Sequence, residues 1–332
     1  MKPTLAIMLG GMDGRPVEQM MRRALEAAAL DAAEVALASG VFDAVVLLAD
    51  CAPELGAPPG LEVETDVEAA AGSQAGAFHF GRRLADLVAT RRLDGLAYVG
   101  AGSAPLLAAE HYGALTAPLA EAKADGVCVT NNRFSADLFA LRPAGLVARL
   151  DPSPGKDNGV PRRLREEHAV EVVELPRTLE TQFNLDTPND LIALALSEHS
   201  GPRLRAVLGE AALDVSRVQA AARHFVDRSS EVLVAGRVSS RTWQYLETEA
   251  ASRIRLLAEE RGMQSAGTDA DGSARSILGQ LIAAAGPARA FSELLPEVCR
   301  AAFIDVRPAL VHLGIRPSRA DRFAADLGRA ED

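Results

Sequence analysis

Lysine is nearly missing from this chain: only Lys2, Lys123 and Lys156 occur among 332 residues. Arginine does not make up the difference, because 45 Asp and Glu outnumber 35 Lys and Arg for a net charge of −10. The imbalance is uneven. From Gly201 onward 18 arginines stand against 17 carboxylates, whereas the first 200 residues carry 17 basic and 28 acidic side chains. An acidic N-terminal part without a basic stripe argues against a nucleic-acid surface. It leaves a mononucleotide open, since backbone N–H groups and a metal ion hold phosphates without lysine. Cysteine is scarce too. Cys51, Cys128 and Cys299 form neither a metal spacing nor an even disulfide set, so a reducing cytoplasm is expected. Six scattered histidines never reach a zinc spacing. No apolar run approaches the ~18–20 residues of a membrane helix, and the first residues lack the pattern of a signal peptide. Neither a G-x-S-x-G nucleophile elbow nor a P-loop is present. Aromatics make up 4% of a chain that is 48% hydrophobic, so the core must be Ala, Leu and Val.

What is there alternates strand and helix over the first 200 residues. Strands are expected at 4–9, 43–49, 61–65, 94–99, 126–130, 136–141, 170–175 and 182–185. Helices are expected at 17–38, up to about 88, at 108–124 and at 188–198. Val17, Met20, Met21, Ala24, Leu25 and Ala28 share one face of the first helix. This pattern predicts an α/β class with a mostly parallel sheet and helices on both faces, its function at the carboxyl ends of the strands. About 150 residues per domain suggests two domains, and His199-Ser-Gly-Pro202 is the expected junction. Residues 201–332 read as a mainly helical domain, with helices including 239–260 and 288–303 and one strand-like run at 231–235. Arg237 and Arg241 there face an anion, water or another subunit, which leaves a homo-oligomer open.

Four segments carry candidate chemistry. Leu9-Gly-Gly-Met-Asp-Gly-Arg15 lies between the first strand and helix, where Gly10, Gly11 and Gly14 let a phosphate approach the backbone. Tyr98-Val-Gly-Ala-Gly-Ser-Ala-Pro-Leu-Leu107 is a second small-residue turn. Thr130-Asn-Asn-Arg-Phe-Ser135 offers Asn131, Asn132 and Arg133 to an acceptor phosphate or carboxylate, or forms a hairpin turn. Gln182-Phe-Asn-Leu-Asp-Thr-Pro-Asn-Asp-Leu191 ends a strand in Asp186 and opens a helix with Thr187 as N-cap, Pro188 in the first turn and Asp190 against the helix terminus.

The last of these resembles the N-x-D/N-T-P-E-D-L segment of GT-A-like nucleotidyltransferases such as molybdenum-cofactor guanylyl- and cytidylyltransferases and 2-phospholactate guanylyltransferases. Residues 9–15 resemble that family's L-A-G-G-x-x-x-R-M loop and residues 98–107 its G-D-x-P-L-L segment, so the resemblance covers about residues 1–198. It implies a GT-A or Rossmann-like nucleotidyltransferase fold and transfer of an NMP from an NTP to a small acceptor with Mg²⁺. It also implies roles. Arg15 and Asp186 would be catalytic, Asp186 on the metal. Leu9, Gly10, Gly11, Gly14, Arg15 and Ser103 would line the nucleotide, with Gly72 and Gly76 of a glycine-spaced turn at the base. Asn131, Asn132 and Arg133 would hold the acceptor. Lys156, read from its own Pro/Gly loop at 153–159, joins the acceptor site, folds over the nucleotide or is a solvated loop charge. Two departures stand out: Ser103 occupies the place of the family's metal aspartate, and no lysine follows Arg15. Two alternatives remain, a degenerate nucleotide- or sugar-nucleotide-binding subunit and a GT-A glycosyltransferase.

Overall fold

The computed structural model describes residues 2–12, 14–66, 78–103, 105–123, 125–197 and 199–328. The chain divides into two compact units, Met1–Leu213 with Phe323–Asp332, and Asp214–Arg322.

The first unit is built on seven strands: β1 (Thr4–Leu9), β2 (Ala44–Ala49), β3 (Leu61–Thr65), β4 (Leu96–Gly100), β5 (Val127–Thr130), β6 (Leu138–Arg142) and β7 (Glu171–Glu174). Their order is β3-β2-β1-β4-β6-β5-β7. Only β6 runs against its neighbours; every other pair is parallel. The continuous apolar runs of β1 and β2 are buried along almost their whole length, as a sheet covered on both sides requires.

Helix α1 (Pro16–Ser39) starts with proline in its first turn and stops at Gly40, whose φ of 65° lets its N–H reach Leu37 O. Its buried face includes Met21, Ala24, Leu25, Ala28, Ala32 and Ala36, so alanine sets a close approach to β1 and β2. The opposite sheet face buries Ala6, Val46, Tyr98 and Phe139 under helix α2 (Phe80–Arg91). Helix α3 (Ala109–Thr116) ends earlier than expected and passes into a 3₁₀ segment, Ala117–Glu121, that carries Pro118. Helix α4 (Val160–His168) completes the α2 face, and helix α5 (Pro188–Ala195) follows Asp186. The expected strand at 182–185 is a correction. Leu179–Gln182 is a turn of helix closed by Phe183 N–H on Leu179 O, and the extended residues after it are tied by Leu185 N–H to Gly102 O at 2.8 Å rather than by a ladder.

Helix α6 (Pro202–Ala211) belongs to this unit, so the division falls at Leu213 rather than near residue 200. The buried Asp31 carboxylate of α1 accepts from the N–H groups of Arg203 at 3.1 Å and Leu204 at 2.9 Å, capping α6. A side chain at Gly201 would collide with it.

In the second unit helices dominate the regular structure, as expected, among them α7 (Ser216–Ala222), α8 (Ser240–Glu249) and α9 (Ile277–Ala285). It also holds a parallel sheet, β10-β8-β9, of β8 (Glu231–Gly236), β9 (Arg253–Ala258) and β10 (Ala301–Ile304). Residues 253–258 and 301–303 lie in segments whose sequence predicts helix. Pairing along both sides of β8 overrides the local preference of these short segments. No described helix is long and apolar enough to cross a membrane.

Candidate functional site

The chain leaves β1 for β2 on one side, and β4 lies on the other, so a crevice opens at the carboxyl ends of β1 and β4. The loops on either side are tied there: Ala101 N–H bonds Met8 O at 2.9 Å, and the 183–186 segment lies across Gly102. A side chain on Gly102 would strike Leu185 O, so this crossing requires glycine. Residues 9–11, 100–103 and 184–186 are thereby drawn to one edge of the sheet.

On the β1 side, Leu9 is buried while Gly10 and Gly11 are exposed, and Gly11 has a φ of 81° that disfavours any side chain. Its N–H donates to Asp50 Oδ2 at 3.0 Å, just beyond β2. Arg22 of α1 forks onto the same carboxylate, Nη1 to Oδ2 at 2.8 Å and Nη2 to Oδ1 at 2.6 Å, and Cys51 N–H reaches Oδ1 at 3.0 Å. Burial alone would raise the Asp50 pKa, but Arg22 and the Gly11 N–H outweigh it and hold the carboxyl below the ordinary range. Arg15 is exposed at the N-cap of α1, and its N–H donates to Glu18 Oε2 at 3.2 Å. A Cβ at Gly14 would run into that carboxylate.

On the β4 side, Ser103 is buried, its N–H on Gly100 O at 2.9 Å. Asp186 is exposed. Asp190 Oδ2 accepts from the N–H of Asp186 at 3.0 Å and from the N–H and hydroxyl of Thr187 at 2.8 and 2.9 Å, so the expected cap of α5 forms. Next to this stands Asp137, at the start of β6. It accepts from the amides of Asn131 and Asn184, each at 3.3 Å. Burial first, then the charges of Asp157 and Asp186, push its carboxyl up to about 7 despite the Asn131 hydrogen bond. Asp157 is raised as well, chiefly by burial, although the Tyr98 hydroxyl donates to it at 2.9 Å and Lys156 lies beside it.

Asn131 is fully engaged. Its Oδ1 accepts from Asp137 N–H and Leu138 N–H, while its Nδ2 donates to Asp137 Oδ2 and Thr181 O, which exhausts the amide. It braces the site. Asn132 Oδ1 takes the Phe134 N–H at 3.1 Å, and the Arg133 guanidinium lies 4.7 Å over the Phe134 ring. Lys156 is exposed on a loop anchored by Gly81 N–H to Pro154 O at 2.8 Å. Gly72 and Gly76 lie outside the described residues.

Asp50, Arg22, Asp137, Asp157 and Asn184 were missed in the sequence. Asp50 gave the signal used for Asp186, a carboxylate at the end of an apolar strand. Asp137 gave none, because it precedes a strand whose reversal only the fold reveals.

No protein-family model matches the chain, and a search of the curated proteins finds no match. Among solved structures it is similar to a cytidylyltransferase from Leptospira borgpetersenii serovar Hardjo-bovis, at 14% identity and a TM-score of 0.41 over 64% of this chain and 95% of that one. It is also similar to 4-diphosphocytidyl-2C-methyl-D-erythritol synthase, at 16% and 0.38 over 59% and 98%. A third likeness is to CMP:2-keto-3-deoxy-manno-octonic acid synthetase complexed with CTP, at 12% and 0.34 over 59% and 98%. These TM-scores are too low to carry an activity across.

Proposed function

We propose that the first unit is a nucleotidyltransferase that moves an NMP from an NTP to a small phosphorylated acceptor. The observation that carries this is a convergence. The Gly10–Gly11 turn and Asp186 are far apart in sequence, yet they sit at adjoining strand ends, joined through Met8, Ala101, Gly102 and Leu185. In the proposed reaction an acceptor phosphate oxygen attacks the α-phosphorus in line, a P–O bond forms, and the bond to the β-phosphate breaks to release pyrophosphate. Gly10 and Gly11 let the phosphates approach the backbone, and Arg15 adds positive charge at the helix start. Arg133 and Lys156 hold the acceptor, while Asn131 positions Asp137 rather than touching substrate.

Mg²⁺ belongs to this proposal. Among the described residues no three ligating side chains converge closely enough to hold an ion alone. Asp137 and Asp157, both raised chiefly by burial, and the nearby Asp186 nevertheless gather carboxyls from which a hard cation can displace protons. Asp186 with one neighbouring carboxylate fits Mg²⁺ if phosphate oxygens complete the shell. When bound, the ion offsets charge on the transferred phosphates.

A thermal-shift panel of the four NTPs with and without Mg²⁺, followed by a pyrophosphate-release assay on the binding NTP, tests the reading. Stabilisation by one NTP and release with a phosphorylated acceptor is expected; no shift with any NTP sinks it. Binding without release, under any acceptor, selects the second reading, a nucleotide-binding subunit. Ser103, in place of a carboxylate, favours that second reading.

A further inference from the structure

The Asp50 carboxylate is ringed by donors in the arrangement with which proteins hold a phosphate. An arginine fork meets both of its oxygens, one backbone N–H comes from the glycine turn at 3.0 Å, and another comes from Cys51 at 3.0 Å. The carboxylate packs against the turn, since a Cβ at Gly10 would lie in contact with Asp50 Oδ2 at 3.4 Å. A cavity of about 860 Å³ opens directly beside this ion pair, lined in part by Arg22, Asp50, Cys51, Met12 and Arg23. Two observations therefore meet at one point: an oxyanion cradle that is already filled, and a space into which its occupant can turn.

We infer that Asp50 is an internal plug of the phosphate loop, an autoinhibitory carboxylate that an entering polyphosphate must displace from Gly11 and Arg22. The inference rests on the proposed nucleotide site and adds a regulatory contact to it. Displacement breaks no covalent bond. The guanidinium fork and the Gly11 N–H pass from carboxylate to phosphate, and the Asp50 side chain rotates toward the cavity. Apparent affinity is then the intrinsic affinity reduced by the small fraction of molecules with Asp50 withdrawn.

The test measures calorimetric binding of each NTP and of inorganic tripolyphosphate to the full chain and to Asp50→Ala, Asp50→Asn and Glu54→Ala, with thermal melts to confirm folding. Glu54 lies in the same cavity wall and is exposed, so its removal deletes an equal charge without touching the cradle. The expected result is tripolyphosphate and NTP binding at least about tenfold tighter in Asp50→Ala, a smaller gain in Asp50→Asn, and a change below about twofold in Glu54→Ala. Equal or weaker tripolyphosphate binding in folded Asp50→Ala or Asp50→Asn overturns the plug, as does an equal gain in Glu54→Ala. Tripolyphosphate tightening while no NTP binds any variant would support the plug and overturn the nucleotide reading.

Discussion

Just beyond β2, Asp50 lies under an arginine fork and two backbone N–H groups, and its carboxyl is held below the ordinary range. At the start of β6, Asp137 meets only two amides and stands near two further carboxylates, and its carboxyl is pushed up to about 7. Both residues flank the same sheet edge. The difference teaches that this edge is divided: its β2 side holds a carboxylate compensated within the chain, and its β6 side gathers carboxyls that burial holds toward their neutral form. Under the proposed function, a polyanion entering the crevice would compete with Asp50 on the first side and bring a cation to the second.

The largest effect expected on the compensated side comes from Gly11→Val. A β-branched residue is strained at the φ of 81° found there, so NTP affinity should fall by roughly a hundredfold through strain and a lost phosphate approach. Calorimetry on the folded variant, below its melting transition, checks this; undiminished affinity would remove the turn from the site.

Asp137→Asn breaks the comparison from the other side. A carboxyl whose folded pKa lies above its unfolded value binds its proton more tightly in the native state, so stability is lost as pH rises from about 4 to about 7 and then levels off. Allowing for partial exposure, the loss is about 2–3 kcal/mol above that window. The variant should melt several degrees above wild type at pH 8 and lose that advantage at pH 4. A difference independent of pH would show that Asp137 carries no such burden.

Ser103→Asp sharpens the contrast by adding a carboxylate at a buried position on the second side. Stability without metal should drop by about 1–2 kcal/mol, and Mg²⁺ with NTP should restore part of it. Identical melts with and without Mg²⁺ and NTP would place the cation elsewhere. The smallest effect belongs to Lys156→Ala. Lys156 is exposed and lowers the raised Asp157 carboxyl, so its loss should destabilise the protein by about 0.5 kcal/mol at pH 8 and leave pH 4 melts unchanged.

Much of the first unit is legible in the sequence. The apolar runs of β1 and β2, the alanine stripe of α1 with its Gly40 stop, and the Thr187–Asp190 cap are local patterns, and local patterns survive folding. The second sheet is not legible. Residues 253–258 and 301–304 are short, and only pairing with β8 makes them strands. Within the site, glycines announce themselves by spacing, whereas Asp137 depends on an antiparallel strand. Asn131 looked like a ligand because its amide is polar and beside a strand end; four hydrogen bonds inside the protein turn it into a brace.

The cap that Asp31 places on α6 has a consequence in time. The two partners are separated by 173 residues. At ~5–20 residues per second of synthesis, Asp31 is added roughly 9–35 s before Leu204, whose N–H its carboxylate accepts. Through that interval the carboxylate is kept hydrated, and the alanine face of α1 nearest α6 stays open to water. Docking of α6 on α1 therefore cannot precede the synthesis of Leu204, and a slowly translated stretch ahead of residue 202 would lengthen the wait.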